Sequence, residues 1–196
     1  FFGVPPENVL IRTPFLGGGF GSKAVVHGPT VLAILAARAL GRPVKLALTR
    51  GQMFGPVGHR GATRQDLRLG MDQDGRLTAL EHRAEALTSS FDDFLEPAAN
   101  VSKNLYATPA LSVSHRGVRV DAGTPMAMRA PGEASGSAAL ECAIDEAAEA
   151  AGLDPLEFRL RNYAEADPAT GLPFSSKALR ECYARGAERF GWAGRP

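Results

Sequence analysis

Cysteine is scarce in this sequence, because only Cys142 and Cys182 occur among its 196 residues. Each lies in a segment with helical character, so the chain carries neither a disulfide framework nor a CxxC pair for a metal. Free cysteines favour a reducing compartment. We therefore expect a cytoplasmic location, with the periplasm as the alternative.

An excess of one charge and long apolar runs are also missing. The 22 basic and 21 acidic residues give a formal net charge of +1, which offers no electrostatic footprint for nucleic acid. The richest apolar stretch, residues 31–40, is interrupted by Arg38 and is shorter than the roughly 20 residues that a membrane helix needs. The composition predicts a globular domain that binds no nucleic acid and does not span a membrane.

Glycine and proline are plentiful, with 22 and 14 residues, and they indicate many turns and long functional loops. The chain begins with Phe1, and we expect it to be a piece of a longer protein. We predict a single domain over residues 1–196 with the α+β fold class, in which helices pack on a mixed β-sheet. Two sub-parts are expected: residues 1–121, rich in strands with one buried helix, and residues 122–196, a loop followed by helices.

The patterning of apolar residues, glycine and proline predicts the individual elements. The expected strands are 8–13, 43–49, 63–71, 76–86 and 111–120, with a hairpin turn at 72–75. The expected helices are 25–40, largely buried and starting properly after Gly28-Pro29, then 134–151, 155–163 and 175–190. Two long connections remain, a surface excursion at 89–109 and a second loop at 121–135.

A glycine-dense turn, LGGGFGSK at residues 16–23, follows the first expected strand. It is not a phosphate-binding loop, because Ala24 stands where that motif needs the hydroxyl that holds magnesium. It is not a dinucleotide fingerprint either, because Ser22 replaces the third glycine. A plain tight turn is one interpretation. The other is a surface for a flat ligand, since the bulky Phe20 between two glycines is poor turn chemistry.

Several blocks in one order carry a family resemblance across nearly the entire chain. They are LGGGFGSK, RPVKLALTR, HRGATRQDLRLGMDQDG, MRAPGEASGSAALECAIDEAAEAAGLDPLEFRLRN and ARGAERFGW. Together they resemble the molybdenum-cofactor-binding large subunit of the xanthine dehydrogenase and aldehyde oxidase family. The resemblance implies that the fold is part of the molybdopterin-binding domain of a molybdenum hydroxylase.

The resemblance also implies a chemistry. A molybdenum held by a pyranopterin cofactor, which could be in its cytosine dinucleotide form, hydroxylates or oxidises a small-molecule substrate with water as the oxygen source. Electrons would leave through iron–sulfur clusters and FAD on other segments or subunits, which would be partners together with the remaining parts of its own subunit. The cofactor brings the reactivity, and the protein positions it. A non-catalytic module that binds small molecules or serves as a scaffold is the alternative.

Site residues are carried over position by position. Gly19, Phe20 and Gly21 match the first cofactor loop of the family, and Arg129 matches a residue whose backbone meets the cofactor from a second loop. Phe20 and Arg129 would lie beside the ligands of the molybdenum. Arg60 falls at a position that holds substrate in xanthine-oxidising members, although a surface arginine at a strand end is an equal alternative.

The departures from the family pattern concern the substrate. Ala24 replaces a glutamate that binds purines and Pro131 replaces a stacking aromatic, so an aldehyde or an aromatic N-heterocycle is favoured over xanthine. Residues 124–131 contain no cysteine, which disfavours carbon monoxide dehydrogenases. The general base of the family is a glutamate near the far C-terminus of the subunit. We expect that base outside these residues and nominate no catalytic residue within them.

Overall fold

Residues 2–195 are described by a computed structural model, in which the chain divides into two units, Phe1–Val57 and Gly58–Pro196. The single domain expected over residues 1–196 stays a prediction. Along the chain, each unit has its own secondary structure, and the two candidate loops belong to different units.

The first unit contains helix α1, Gly28–Leu40, between two short 3-10 turns, Pro6–Asn8 and Gly51–Phe54. Proline in the first turn of α1 and Gly41 in the left-handed conformation (φ 59°) at its end are the expected start and stop, because proline suits the first turn and glycine tolerates positive φ.

The predicted burial of α1 is wrong, since none of its residues is buried and Leu32 is 62% exposed. A unit of roughly 60 residues buries only about 60% of its unfolded surface, against about 70% for a domain of 150 residues.

The strands predicted at 8–13 and 43–49 are also wrong. Between Phe2 and Val57, the structure describes turns, bends and helix but no strand. The β-branched and apolar residues of these segments fit a pleated surface. A strand nevertheless needs a neighbour to complete its hydrogen bonds, and that neighbour is a property of the fold and not of the segment.

The second unit is built on a three-stranded sheet of order β1-β2-β3, formed by Thr63–Met71, Leu77–Ser89 and Leu111–Val120. β1 and β2 pair antiparallel, and β2 and β3 pair parallel, so the predicted mixed sheet is confirmed. The predicted hairpin turn is confirmed too. There Asp72 accepts hydrogen bonds from the backbone N–H groups of Asp74 and Arg76, and Gly75 adopts φ 73°.

The parallel pairing requires a crossover between β2 and β3. This segment was predicted to be a surface excursion, and that prediction is wrong. It contains a 3-10 helix, Ala98–Lys103, whose Ala98, Ala99, Val101 and Ser102 are buried. Small side chains allow this close packing. Because the buried residues follow no regular spacing along the chain, the sequence does not predict their burial.

Three helices follow: α2 (Glu133–Ala150), α3 (Pro155–Arg161) and α4 (Leu179–Phe190). Asp154 caps α3 as predicted, by accepting from the N–H groups of Leu156 and Glu157. α2 places Leu140 and Ile144 in the core, where they join Leu80, Tyr106 and Phe158. The spacing of these α2 residues is that of one buried helical face.

Within residues 2–195, no helix is long and apolar enough to cross a membrane.

The outward face of the β1-β2 pair carries charges of opposite sign in register, with Arg64 opposite Glu85, Asp66 opposite Arg83 and Arg68 opposite Glu81. Such cross-strand pairs favour this register over a slipped one.

Candidate functional site

The first loop, residues 17–22, is closed by its own hydrogen bonds. Ser22 donates from its backbone N–H and its hydroxyl to the Gly19 carbonyl, at 2.9 Å in both cases. Ala24 donates from its N–H to the Gly21 carbonyl at 3.0 Å. These bonds form two consecutive tight turns and leave the Phe20 ring 65% exposed.

The glycines of the first loop are not equivalent. Gly18 (φ 95°) and Gly21 (φ 102°) adopt conformations that side chains rarely take. A Cβ on Gly18 would also lie 2.7 Å from the Phe20 ring. By contrast, Gly17 and Gly19 have no positive φ, and a Cβ on Gly19 would come no closer than 3.4 Å to Lys23. The turn itself therefore requires glycine at 18 and 21 but tolerates a methyl group at 17 and 19.

Phe20 and Ala130 share an unusual property. They are the only non-glycine residues between Phe2 and Arg195 with positive φ, 53° for Phe20 and 55° for Ala130. Phe20 lies in the first loop, and Ala130 lies in the second loop, which we define as residues 123–132. Residues held in this conformation cost of order 1–3 kcal/mol each and cluster at active sites and ligand clamps.

The second loop enters α2 through Gly132, which is buried and adopts φ 82°. A Cβ at this position would lie 2.5 Å from the carbonyl oxygen of Pro97, so only glycine fits. The neighbouring Arg129 and Pro131 are exposed. Ala24, in the first unit, is exposed as well.

Arg60 is bound to the second loop. Its Nη1 lies 2.9 Å from Oε1 of Glu96 and 3.4 Å from the Ala130 carbonyl, and its Nη2 donates to the Arg129 carbonyl. The Arg60 side chain is 31% exposed. Its contact with substrate stays a prediction, although Nη1 and Nη2 both donate to acceptors in the protein.

Glu96 is the site residue that sequence reasoning missed. Its side chain is 1% exposed, and Oε1 accepts from Arg60, from the Gly132 N–H at 2.8 Å and from the Ser135 hydroxyl at 3.0 Å. Oε2 is buried and has no hydrogen-bond partner among the described residues. The signal in the sequence was a single carboxylate within the apolar run Phe94-Leu95-Glu96-Pro97-Ala98-Ala99, since a buried carboxylate needs a partner.

A second buried polar group is linked by hydrogen bonds to the start of α2. The buried His82 contacts Ser102 Oγ through Nδ1 at 2.8 Å and Gln65 Oε1 through Nε2 at 3.0 Å. Gln65 in turn donates to the backbone carbonyl of Ser135 at the start of α2. Burial and the nearby His115 lower the pKa of His82 to about 4, so the ring is neutral near pH 7. Because Gln65 Oε1 only accepts, Nε2 carries the proton.

Among residues 2–195, no cluster of three or more His, Cys, Asp or Glu side chains could hold a metal ion. What the two loops offer to a ligand is backbone N–H groups, an exposed ring at Phe20 and an exposed guanidinium at Arg129.

Comparison with known proteins identifies the family. The family model described as "Molybdopterin cofactor-binding domain" matches residues 1–163. The chain is 46% identical over 191 residues to the aldehyde oxidoreductase molybdenum-binding subunit PaoC of Escherichia coli K12, and 33% identical over 196 residues to the putative xanthine dehydrogenase molybdenum-binding subunit XdhA of the same strain. Each alignment covers 96% of this chain and 26% of the relative.

The fold is shared with solved structures. Quinoline 2-oxidoreductase from Pseudomonas putida 86 superposes with a TM-score of 0.82 at 30% identity, over 92% of this chain and 24% of that one. The chain thus spans about a quarter of the length of the relatives it matches. From the matched family model and these similarities, the chain belongs to the molybdopterin cofactor-binding domain family, within the molybdenum-binding subunits of the xanthine dehydrogenase and aldehyde oxidase group.

Proposed function

We propose that this chain is the part of a molybdenum-dependent oxidoreductase that holds two strained loops against the molybdopterin cofactor. One observation carries the proposal beyond family membership. Each candidate loop contains one of the two non-glycine residues with positive φ among residues 2–195. Backbone strain of this kind is retained where the surrounding structure enforces it for a function.

The first loop fits the cofactor in a specific way. Gly17 and Gly19 leave space that the turn does not need, and we propose that the cofactor approaches the backbone there. Gly19 and Gly21 would present main-chain groups to it, and the exposed Phe20 ring would shield the bound cofactor from water. Arg129 contributes its backbone from the second loop. When bound, the cofactor supplies the redox centre at which the substrate carbon is hydroxylated with oxygen from water.

The substrate class we propose is an aldehyde or an aromatic N-heterocycle. PaoC is named an aldehyde oxidoreductase and the structural neighbour a quinoline 2-oxidoreductase. Ala24 and Pro131 add no charge where they are exposed, which suits an apolar ring or chain. The resemblance implies a substrate contact for Arg60, and the Arg60 variants described below test that role against a structural one.

Finer features belong to the same proposal. We infer that the cofactor is molybdopterin, with the cytosine dinucleotide form as a candidate, and that iron–sulfur and FAD-binding segments or subunits receive the electrons. The exposed cysteines Cys142 and Cys182 are free, which suits a cytoplasmic location, with the periplasm as the alternative.

An isotope experiment tests where the oxygen atom of the product comes from. The complete subunit, purified with its partners, should oxidise benzaldehyde or quinoline in ¹⁸O-labelled water and place ¹⁸O in the product. Quinoline is the decisive substrate, because an aldehyde also exchanges its carbonyl oxygen with water. A quinoline product without ¹⁸O, whose oxygen came from molecular oxygen, would contradict the proposed chemistry. A complete subunit that carries no molybdenum and turns over neither compound would instead support the non-catalytic module.

A further inference from the structure

We propose that Arg60 and Glu96 form an ion pair whose role is to position the second loop, so that Arg60 acts through the loop and not by touching substrate. The proposal rests on the proposed function, because the loop matters only if it meets the cofactor. Its geometry lies wholly within the unit Gly58–Pro196.

One side of the second loop is held through its backbone carbonyls. Arg60 donates to the carbonyls of Arg129 and Ala130, which belong to two consecutive residues. Ala130 is the one held at φ 55°. A guanidinium presents its donors in a fixed planar fork, and two adjacent carbonyls can satisfy that fork only in one arrangement of the peptide. Arg60 therefore stabilises the conformation that an alanine otherwise avoids.

The other side of the second loop is held through a backbone N–H. Glu96 Oε1 accepts from the Gly132 N–H and the Ser135 hydroxyl, so it fixes the junction between the loop and α2. An almost fully buried carboxylate is strongly unfavourable without a paired charge. Arg60 supplies that charge at 2.9 Å. Each member of the pair thus needs the other in order to hold its own side of the loop.

The segments that carry Arg60 and Glu96 also contact the second loop through their backbone. The Met126 N–H donates to the His59 carbonyl at 3.0 Å, directly beside Arg60. Next to Glu96, a Cβ on Gly132 would lie 2.5 Å from the Pro97 carbonyl oxygen. The pair is therefore anchored on backbone that already touches the loop, which leaves little freedom for the loop to move independently.

The consequence is a division of roles. With its backbone held on both sides, the second loop leaves Arg129 and Pro131 exposed. Both terminal nitrogens of Arg60 donate to the protein. The ion pair between Arg60 and Glu96 therefore fixes the position of the residues that the second loop exposes.

The test uses the complete subunit with its partners and the variants Arg60→Met, Arg60→Lys, Glu96→Gln and Arg60→Met/Glu96→Gln. Hydrogen exchange of the loop amides, molybdenum per subunit, and kcat and KM for benzaldehyde are measured. Loss of one charge-assisted hydrogen bond predicts about tenfold faster exchange in the loop. Arg60→Lys should restore part of the protection, and the double variant should exceed neither single variant by much, because the two residues act as a unit.

The control is Arg83→Met, which removes an exposed ion pair with Glu81 on the outward face of the sheet and should leave loop exchange unchanged. The proposal is overturned if Arg60→Met raises only KM, with loop exchange and molybdenum content as in the wild type. Additive effects of the two single variants on loop exchange would overturn it too. If the wild-type subunit holds no molybdenum, the proposed function fails, while loop exchange in the same protein still decides whether the pair positions the loop.

Discussion

At the scale of single residues, Gly19 separates what the fold needs from what a ligand needs. Its φ is not positive, and the nearest atom to an added Cβ would be 3.4 Å away. Gly18, one residue earlier, is required by the turn, because it combines φ 95° with a Cβ position 2.7 Å from the Phe20 ring. A glycine that the turn does not require is the informative one to change.

We expect Gly19→Ala in the complete enzyme to melt within a few degrees of the wild type while molybdenum per subunit or turnover collapses. The reason is that the added methyl group enters space that we assign to the cofactor. Thermal unfolding and molybdenum content are measured on the same preparation. Gly51→Ala is the matched control in the same unit, since it lies outside the loop, has no positive φ, and nothing lies within 4 Å of an added Cβ. A folded Gly19→Ala protein with full metal and normal turnover would show that no ligand needs this glycine.

His82 makes stability depend on pH. Its pKa is lowered from the ordinary histidine value of 6.5 to about 4 in the folded chain, so the unfolded state binds more protons between these two pH values. The contribution of His82 is therefore present above pH 6.5 and is lost as the pH falls towards 4, by about 2 kcal/mol between pH 7 and pH 5.

Urea denaturation of the chain at pH 7 and pH 5 measures this loss. His82→Gln should flatten the pH dependence, whereas His59→Gln, at an exposed histidine, should leave it as in the wild type. Equal pH dependence in the wild type and His82→Gln would show that the proton is taken up elsewhere.

At the scale of elements, the contact between α2 and the 3-10 helix Ala98–Lys103 is the tightest that a glycine makes with backbone atoms in the second unit. A Cβ on Gly136 of α2 would lie 1.8 Å from the carbonyl oxygen of Ala98. The two backbones are therefore in direct contact.

Gly136→Ala should destabilise the chain by about 1–2 kcal/mol, because overpacking against backbone costs about 3 kcal/mol and exceeds the gain of about 1 kcal/mol in helix propensity. Gly186→Ala is the matched control in the interior of α4, where nothing lies within 4 Å of an added Cβ, and it should stabilise slightly. Chemical denaturation of both variants provides the comparison. Equal stability changes would mean that the α2 contact is loose.

An element could be predicted from the sequence where the residues that determine it act on the neighbouring backbone. Asp72 and Gly75 in the hairpin turn, Gly41 after α1 and Asp154 before α3 act on their own backbone, so the sequence displays them. The segments 8–13 and 43–49 needed partner strands that their own residues do not specify. Glu96 was missed for the same reason, because its burial depends on Arg60 and Gly132, which are distant in the chain. The two loops were identified through a resemblance, and their strained residues became visible only as dihedral angles.

At the scale of the whole molecule, the first unit leaves much apolar surface uncovered. Phe15 is 92% exposed, and Ile11, Leu32 and Leu40 are exposed as well. Surfaces of this kind mark places where other protein packs. We infer that the remaining parts of the subunit cover them and complete the cofactor site.

The 196-residue chain produced alone should therefore fold but retain no stoichiometric cofactor and show no turnover, because an incompletely built site lacks preorganisation. Circular dichroism and elemental analysis of the purified chain check this. One molybdenum atom for each isolated chain would contradict the inference that other parts of the subunit are needed.

The central claim is that the two strained loops hold molybdopterin, and the most direct measurement is molybdenum and released pterin per complete subunit, for the wild type and for Gly19→Ala side by side. The account predicts close to one molybdenum and one pterin per wild-type subunit, and a marked loss of both from a folded Gly19→Ala subunit. A complete wild-type subunit that folds without molybdenum or pterin would contradict it.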